Sequence, residues 1–174
     1  MTSSVARRLW VLRHAKSDRG DPALPDHDRP LAPRGERAAD RMGRWAAESG
    51  VHPELVLCST AVRARQTWER VRPGLGPQAR IELDPSLYAF EPEAILERIR
   101  ELPDDVRSVM VVGHNPAMQG VVVTVASSGD RLDDVRKKFP TGAVARLDLG
   151  ASSWTDVGEG TGQLGLFVAP RELE

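Results

Sequence analysis

Residues 108–112 read Ser-Val-Met-Val-Val and run directly into Gly113-His114-Asn115-Pro116. A strand with one wet face alternates apolar and polar side chains, so an unbroken apolar run belongs to a strand covered on both faces. Two further short apolar runs, residues 8–13 (Arg-Leu-Trp-Val-Leu-Arg) and 55–58 (Leu-Val-Leu-Cys), precede segments with helical periodicity. In residues 34–49, Ala38, Met42, Trp45 and Ala46 fall on one face, and Gly50 offers a C-terminal stop. A helix from Ser59, as its cap, to about Val71 ends at Arg72-Pro73-Gly74. Residues 81–83 read as a third strand, 93–102 as a helix with Ile95, Leu96 and Ile99 inward, and 116–126 as a helix opened by Pro116. Strands are expected again at 143–149, 154–157 and 164–169. Strand–helix alternation predicts an α/β three-layer sandwich, with a mainly parallel central sheet and helices on both faces.

The 174 residues carry no repeat or low-complexity stretch, so we read 1–174 as a single domain. With 24 basic and 25 acidic residues the net charge is −1, which gives no basic field for nucleic acid or a membrane surface. Of the basic residues 21 are Arg, the residue suited to holding phosphate or carboxylate through paired hydrogen bonds. The one cysteine, Cys58, excludes an internal disulfide and fits a reducing compartment. Residues 1–8 show no long apolar stretch after their charges, and the most apolar run, 120–126, is too short to span a bilayer. A cytoplasmic protein without an export leader is expected.

Three segments end at equivalent places in this scheme. Arg13 and His14 close the first strand, Arg63 lies in the first turn after the second, and His114 follows the buried strand. Open α/β sheets bind ligands beyond the carboxyl ends of their strands. Helix N-termini near Ser59 and Asn115 would face the same rim, where free N–H groups favour an anion. Two His and two Arg at one rim make a site for a dianion. The Asp- and Pro-rich loop 17–33 is long enough to act as a lid.

The local motifs carry a resemblance. Leu12-Arg13-His14-Ala15 resembles the Arg-His-Gly signature of the histidine phosphatase superfamily, with Ala in the Gly place. Ser59-Thr60-Ala61-Val62-Arg63-Ala64-Arg65-Gln66-Thr67 is similar to its second motif and Gly113-His114-Asn115-Pro116 to its third, in the same order. Lys16-Ser17-Asp18, Asp26-His27-Asp28-Arg29-Pro30-Leu31 and Arg34-Gly35 resemble the small SixA-type phosphohistidine phosphatases. The resemblance implies that His14 is a nucleophile forming a phosphohistidine intermediate, while Arg13, Arg63 and His114 hold the phosphoryl oxygens. Ser17 is a further phosphate-binding candidate. Nearby cations would keep the imidazole neutral and neutralise the transferring group, so no metal or other cofactor is expected.

Many members carry a Glu general acid in a Leu-x-Glu stretch; here Leu87-Tyr88 is followed by Ala89. Glu91 and Asp18 are the candidate substitutes. An alkoxide leaving group needs a proton, whereas the imidazole of a phosphohistidine has a conjugate acid of pKa about 6.5. The expected activity is therefore hydrolysis of protein phosphohistidine, with a small phosphoester as the alternative substrate. A mutase-like activity ranks lower, because it needs the acid missing at Ala89. A phosphate-binding module without turnover is the alternative of another class.

Other signals are weaker. A cysteine-based phosphatase needs Arg six positions after its Cys, and position 64 is Ala64. Gly160-Thr161-Gly162-Gln163-Leu164-Gly165 matches a dinucleotide-binding pattern but precedes a strand, so it reads as a hairpin turn. Asp26-His27-Asp28 lacks a further metal ligand partner and reads as surface loop, with Asp28 or Arg29 turned back on the site. Arg65 points to a different helix face from Arg63, toward the surface or the rim. Lys16 and His52 read as solvated.

Overall fold

The computed structural model describes residues 5–173; residues 1–4, part of the segment read as lacking a leader, lie outside the described residues. The elements are β1 (Arg7–Arg13), α1 (Pro33–Glu48), β2 (Leu55–Cys58), α2 (Val62–Val71), β3 (Arg80–Leu83), α3 (Pro92–Arg100), β4 (Ser108–Gly113), α4 (Ala117–Val125), β5 (Ala126–Ser128), α5 (Leu132–Lys137), β6 (Val144–Leu149) and β7 (Gly162–Val168). One seven-stranded sheet runs in the order β3-β2-β4-β1-β6-β7-β5. The β1–β4, β4–β2, β2–β3 and β5–β7 pairs are parallel, and β6 pairs antiparallel with both β1 and β7. This is an α/β fold on a mostly parallel sheet.

Side-chain alternation along the central strands feeds two separate apolar clusters. Leu9, Val11, Leu55, Leu57, Val109 and Val111 pack with Ile95, Leu96 and Ile99 of α3 and Val121 and Val122 of α4. Trp10, Leu12, Val56, Cys58, Met110 and Val112 pack with Met42 and Ala46 of α1 and Ala64 and Trp68 of α2. The unbroken apolar run of β4 is explained, since each neighbour in it serves a different cluster. A residue such as Leu57, fully buried, contributes roughly 1.5–3 kcal/mol relative to an exposed position. Among the described residues no helix is long and apolar enough to cross a membrane.

Pro33 opens α1, and Gly35 lets that helix reach the chain after β1. A Cβ at Gly35 would sit 2.1 Å from the Lys16 carbonyl oxygen. The two ends of residues 17–33 are held together. Ser17 and Leu31 form a bridge, Asp18 N donates to Pro30 O and Ala32 N to Lys16 O, so the loop is pinned at its base.

Four expectations need correction. Residues 154–157 are not a strand: Trp154–Asp156 is a 3-10 turn, because the Ser153 hydroxyl accepts from Thr155 N and the buried Trp154 ring donates through Nε1 to Val106 O. Ser59 is not the N-cap of α2: Ala61 holds that place, and the Ser59 hydroxyl lies against His114 while accepting from Ala61 N at 3.2 Å. The helix read to Ala126 stops at Val125, where β5 begins. The 160–165 stretch is only partly a turn, since Gly162 already opens β7.

Candidate active site

The register of β1, β4 and β2 decides where the chemistry-bearing residues fall. Arg13 stands opposite Gly113, and Cys58 opposite Val112. The next residues, His14, His114 and Ser59, therefore emerge side by side at the carboxyl edge of three adjacent strands. His14 N donates to Gly113 O and Ser59 N to Val112 O, which extends the ladder by one step. The His14 and His114 ring centroids lie 5.2 Å apart, close to the spacing of neighbouring strands at about 4.8 Å.

The second motif distributes its side chains to three partners. The Ser59 hydroxyl lies 2.8 Å from His114 Nε2. The Thr67 hydroxyl accepts from Ala15 N at 3.0 Å and donates to Arg63 O, tying α2 to the residue after His14. Gln66 Oε1 accepts from Leu31 N, tying the same helix to the end of the long loop. Arg63, in the first turn, enters the site and is only 3% exposed.

His14 Nδ1 lies 2.7 Å from Ala15 O. A carbonyl oxygen only accepts, so Nδ1 carries the proton and Nε2 presents its lone pair. Burial first, then the charges of Arg63, Arg13 and Arg29, bring the His14 pKa down to about 4, against the raising effect of the Ala15 bond. Burial and the neighbouring His14 bring His114 down to about 3. Both rings are neutral at pH 7. The expectation that cations keep His14 neutral holds in direction, but desolvation is the larger cause.

A cleft of about 430 Å³ opens here, lined by Arg13, His14, Lys16, Ser17, Arg19, Asp26, Arg29, Arg63, Phe90, His114, Asn115 and Thr141. Among the described residues five cationic side chains and one carboxylate line it. Buried polar atoms without a hydrogen-bond partner among the described residues include Arg13 Nε, Arg63 Nε and His114 Nδ1. An anion with several acceptor oxygens matches such a donor set. The expected helix N-terminus after β4 contributes less, because Met118 N donates to His114 O and Gln119 N to the Asn115 side chain.

All of Arg13, His14, Ser17, Arg63 and His114 thus meet in one cleft. Asp26 was not read from the sequence as a site residue. Its backbone oxygen accepts from Arg63 Nη1 at 2.7 Å and its Oδ2 from Arg63 Nη2 at 3.0 Å. The Tyr88 hydroxyl donates to the same Oδ2 at 2.6 Å. That hydroxyl, with Arg63 and Arg29 behind it, holds the Asp26 carboxyl below the usual range despite opposing burial. Asp26, not Asp28, is the carboxylate turned back on the site, while Arg29 does line the cleft. His27 Nε2 lies 2.8 Å from the Thr60 hydroxyl, and Arg65 Nε donates to Thr60 O away from the cleft. Neither Glu91 nor Asp18 lines the cleft; Asp18 Oδ1 accepts from Gly20 N instead. Lys16 is exposed as expected but lies on the cleft wall. Burial pushes the Cys58 thiol up to about 12, which suits a core residue and not a nucleophile.

Comparison with known proteins agrees with this geometry. Residues 9–90 match the histidine phosphatase superfamily (branch 1). An uncharacterised protein of Mycobacterium tuberculosis is 40% identical over 164 residues, covering 92% of this chain and 100% of the relative. A Nakamurella multipartitia structure assigned as phosphohistidine phosphatase SixA is 31% identical with a TM-score of 0.80, covering 97% of this chain and 99% of that one. The protein histidine phosphatase SixA complexed with tungstate is 25% identical with a TM-score of 0.75, covering 96% and 99%. With its motifs gathered at one sheet edge and these likenesses along its length, the chain belongs to the histidine phosphatase superfamily.

Proposed function

We propose that the protein hydrolyses protein phosphohistidine through a phosphorylated His14. The observation that carries this reading is the neutral His14, with its Nδ1 proton held by Ala15 O and its Nε2 lone pair open to a cation-lined cleft. In the first step Nε2 attacks phosphorus, the P–N bond to His14 forms, and the bond to the substrate imidazole breaks. Arg13, Arg63 and His114 hold the phosphoryl oxygens, with Ser17 as a further donor, so the developing charge is neutralised by fixed groups. In the second step water attacks the phosphorylated His14, releasing inorganic phosphate and the free imidazole.

The leaving group follows from the acid inventory. Among the described residues Asp26 is the one carboxyl group on the cleft wall, and its neighbours hold it ionised, so it is a poor proton donor. An imidazole protonated on its far nitrogen departs neutral without help, whereas an alkoxide does not. The likeness to the tungstate-bound SixA supports an oxyanion site of this kind. The two apolar clusters on opposite sides of the sheet support three layers, and we propose that residues 1–174 act as one domain.

The test is to incubate the protein with a phosphoryl donor and look for an acid-labile, base-stable phosphoenzyme. A substrate panel should give a higher kcat/KM for a phosphohistidine peptide than for any alkyl phosphate. Equal or better turnover of a sugar phosphate would sink the phosphohistidine reading. Binding of phosphate with neither label nor turnover would leave only a binding module.

A further inference from the structure

Among the described residues lining the cleft, Phe90 is the one apolar side chain, and it remains 41% exposed. Its orientation is set by neighbours. The Tyr88, Phe90 and His114 rings form a triangle, with centroids 5.5 Å apart for Tyr88–Phe90 and 5.4 Å for each pair with His114. His27 meets Tyr88 edge-on at 4.8 Å and is itself held at Thr60. The segment is anchored on both sides, by the 3-10 turn Pro85–Leu87 before it and by α3 after it. Ala89, between them in sequence, packs against the core under α3 and α4, whereas Tyr88 packs on the opposite cluster and Phe90 stays exposed.

We infer that Phe90, buttressed by Tyr88 and His114, is the leaving-group subsite and selects substrates whose phosphoryl group is attached to a flat unsaturated ring, an imidazole or an aryl oxide. Two independent features agree on this class. A fixed, exposed aromatic face favours edge-to-face or offset contact with another ring. The ionised Asp26 supplies no proton, which favours leaving groups with low-pKa conjugate acids: about 6.5 for imidazole and about 10 for a phenol. The cations take the phosphoryl end and Phe90 takes the ring end. The inference rests on the reading of the cleft as a phosphoryl-transfer site, while the ring contact itself is tested by binding without turnover.

Calorimetric binding of phenylphosphonate and methylphosphonate separates the two ends. The wild type should bind the phenyl compound about 3- to 10-fold more tightly. Phe90→Ala should bring that ratio near one, and Phe90→Trp should restore it, with Tm confirming that both variants fold. In turnover, Phe90→Ala should raise KM for a phosphohistidine peptide and for phenyl phosphate more than for glycerol phosphate. The relative size of the first two effects tells imidazole from aryl. A ratio that survives in Phe90→Ala, equal losses on all three substrates, or no preference for the phenyl compound in the wild type would overturn the subsite. Absence of a phosphoenzyme with the ratio intact would overturn the phosphatase reading alone.

Discussion

The two walls of the cleft are built differently. One consists of Arg13 at the end of β1, His14 and His114 directly after β1 and β4, and Arg63 in the first turn of α2, with Ser59 behind His114. Their places are fixed by a parallel hydrogen-bonded ladder, with Arg13 opposite Gly113 and Cys58 opposite Val112. The other wall consists of Asp26, Arg29 and Phe90, with Tyr88 behind them, carried by irregular chain. Its order comes from side chains that hold one another. Asp26 Oδ2 receives both Arg63 and Tyr88, and Arg29 Nε stands 3.3 Å from Asp26 Oδ1. The first wall is rigid because the backbone is; the second is rigid only while its charge and ring contacts persist.

The proposed chemistry lies on the ladder wall, so the largest effects should fall there. His14→Ala removes the proposed nucleophile and should lose both phosphoenzyme label and turnover, by on the order of 10^3-fold or more in kcat. Retention of label in this variant would move the nucleophile elsewhere. Arg63→Ala should lower kcat/KM by roughly 10^2- to 10^3-fold, as expected for a donor aimed at developing charge. Steady-state kinetics on a phosphohistidine peptide would check it, and a loss under ten-fold would remove Arg63 from the phosphoryl site.

The loop wall should give smaller effects. Asp26→Asn weakens the clamp on Arg63 and should reduce kcat/KM by about 10-fold, without abolishing the phosphoenzyme. An effect as large as that of Arg63→Ala would mean that Asp26 acts on the substrate itself. Acid should act on the ladder wall through its histidines. Unfolded His titrates near 6.5, while folded His14 titrates near 4, so the unfolded state binds more protons between these values. Stability present above pH 6.5 is therefore lost as pH falls toward 4. For His14 alone the loss between pH 7 and pH 5 is roughly 2 kcal/mol, read from urea unfolding of wild type against His14→Asn. Equal pH slopes in the two proteins would refute the buried neutral state. The smallest effect belongs to Cys58→Ser. Its Sγ donates to Ser59 O at 3.3 Å, a bond a hydroxyl also makes, so turnover should stay within about two-fold.

Legibility in the sequence follows the same division. The unbroken run of β4 and the short runs of β1 and β2 announced strands whose next residues carry the site. The short α5 carries a sequence signal of its own: Leu132 and Val135, both buried, one turn apart, acidic Asp133 and Asp134 first, basic Arg136 and Lys137 last. β5 had none, being three residues that pair only with the distant β7. Trp154 looked β-prone, yet its local cap at Ser153 and its bond to Val106 O overrode that propensity.

The sequence by itself determined which residues stand at the ends of parallel strands, and that they bring two imidazoles and two guanidinium groups to one rim. Period and topology suffice for that, because a strand's end is a local property and neighbouring ends meet through the ladder. Only the tertiary structure decided that Asp26 clamps Arg63, that Ser59 lies against His114 and is not the N-cap of α2, that Tyr88 backs Asp26, and that Phe90 lines the cleft where Ala89 does not. Those pairings join segments up to 62 residues apart through irregular chain. Irregular chain has no period to read, so its side chains find their partners only when the whole molecule has closed around them.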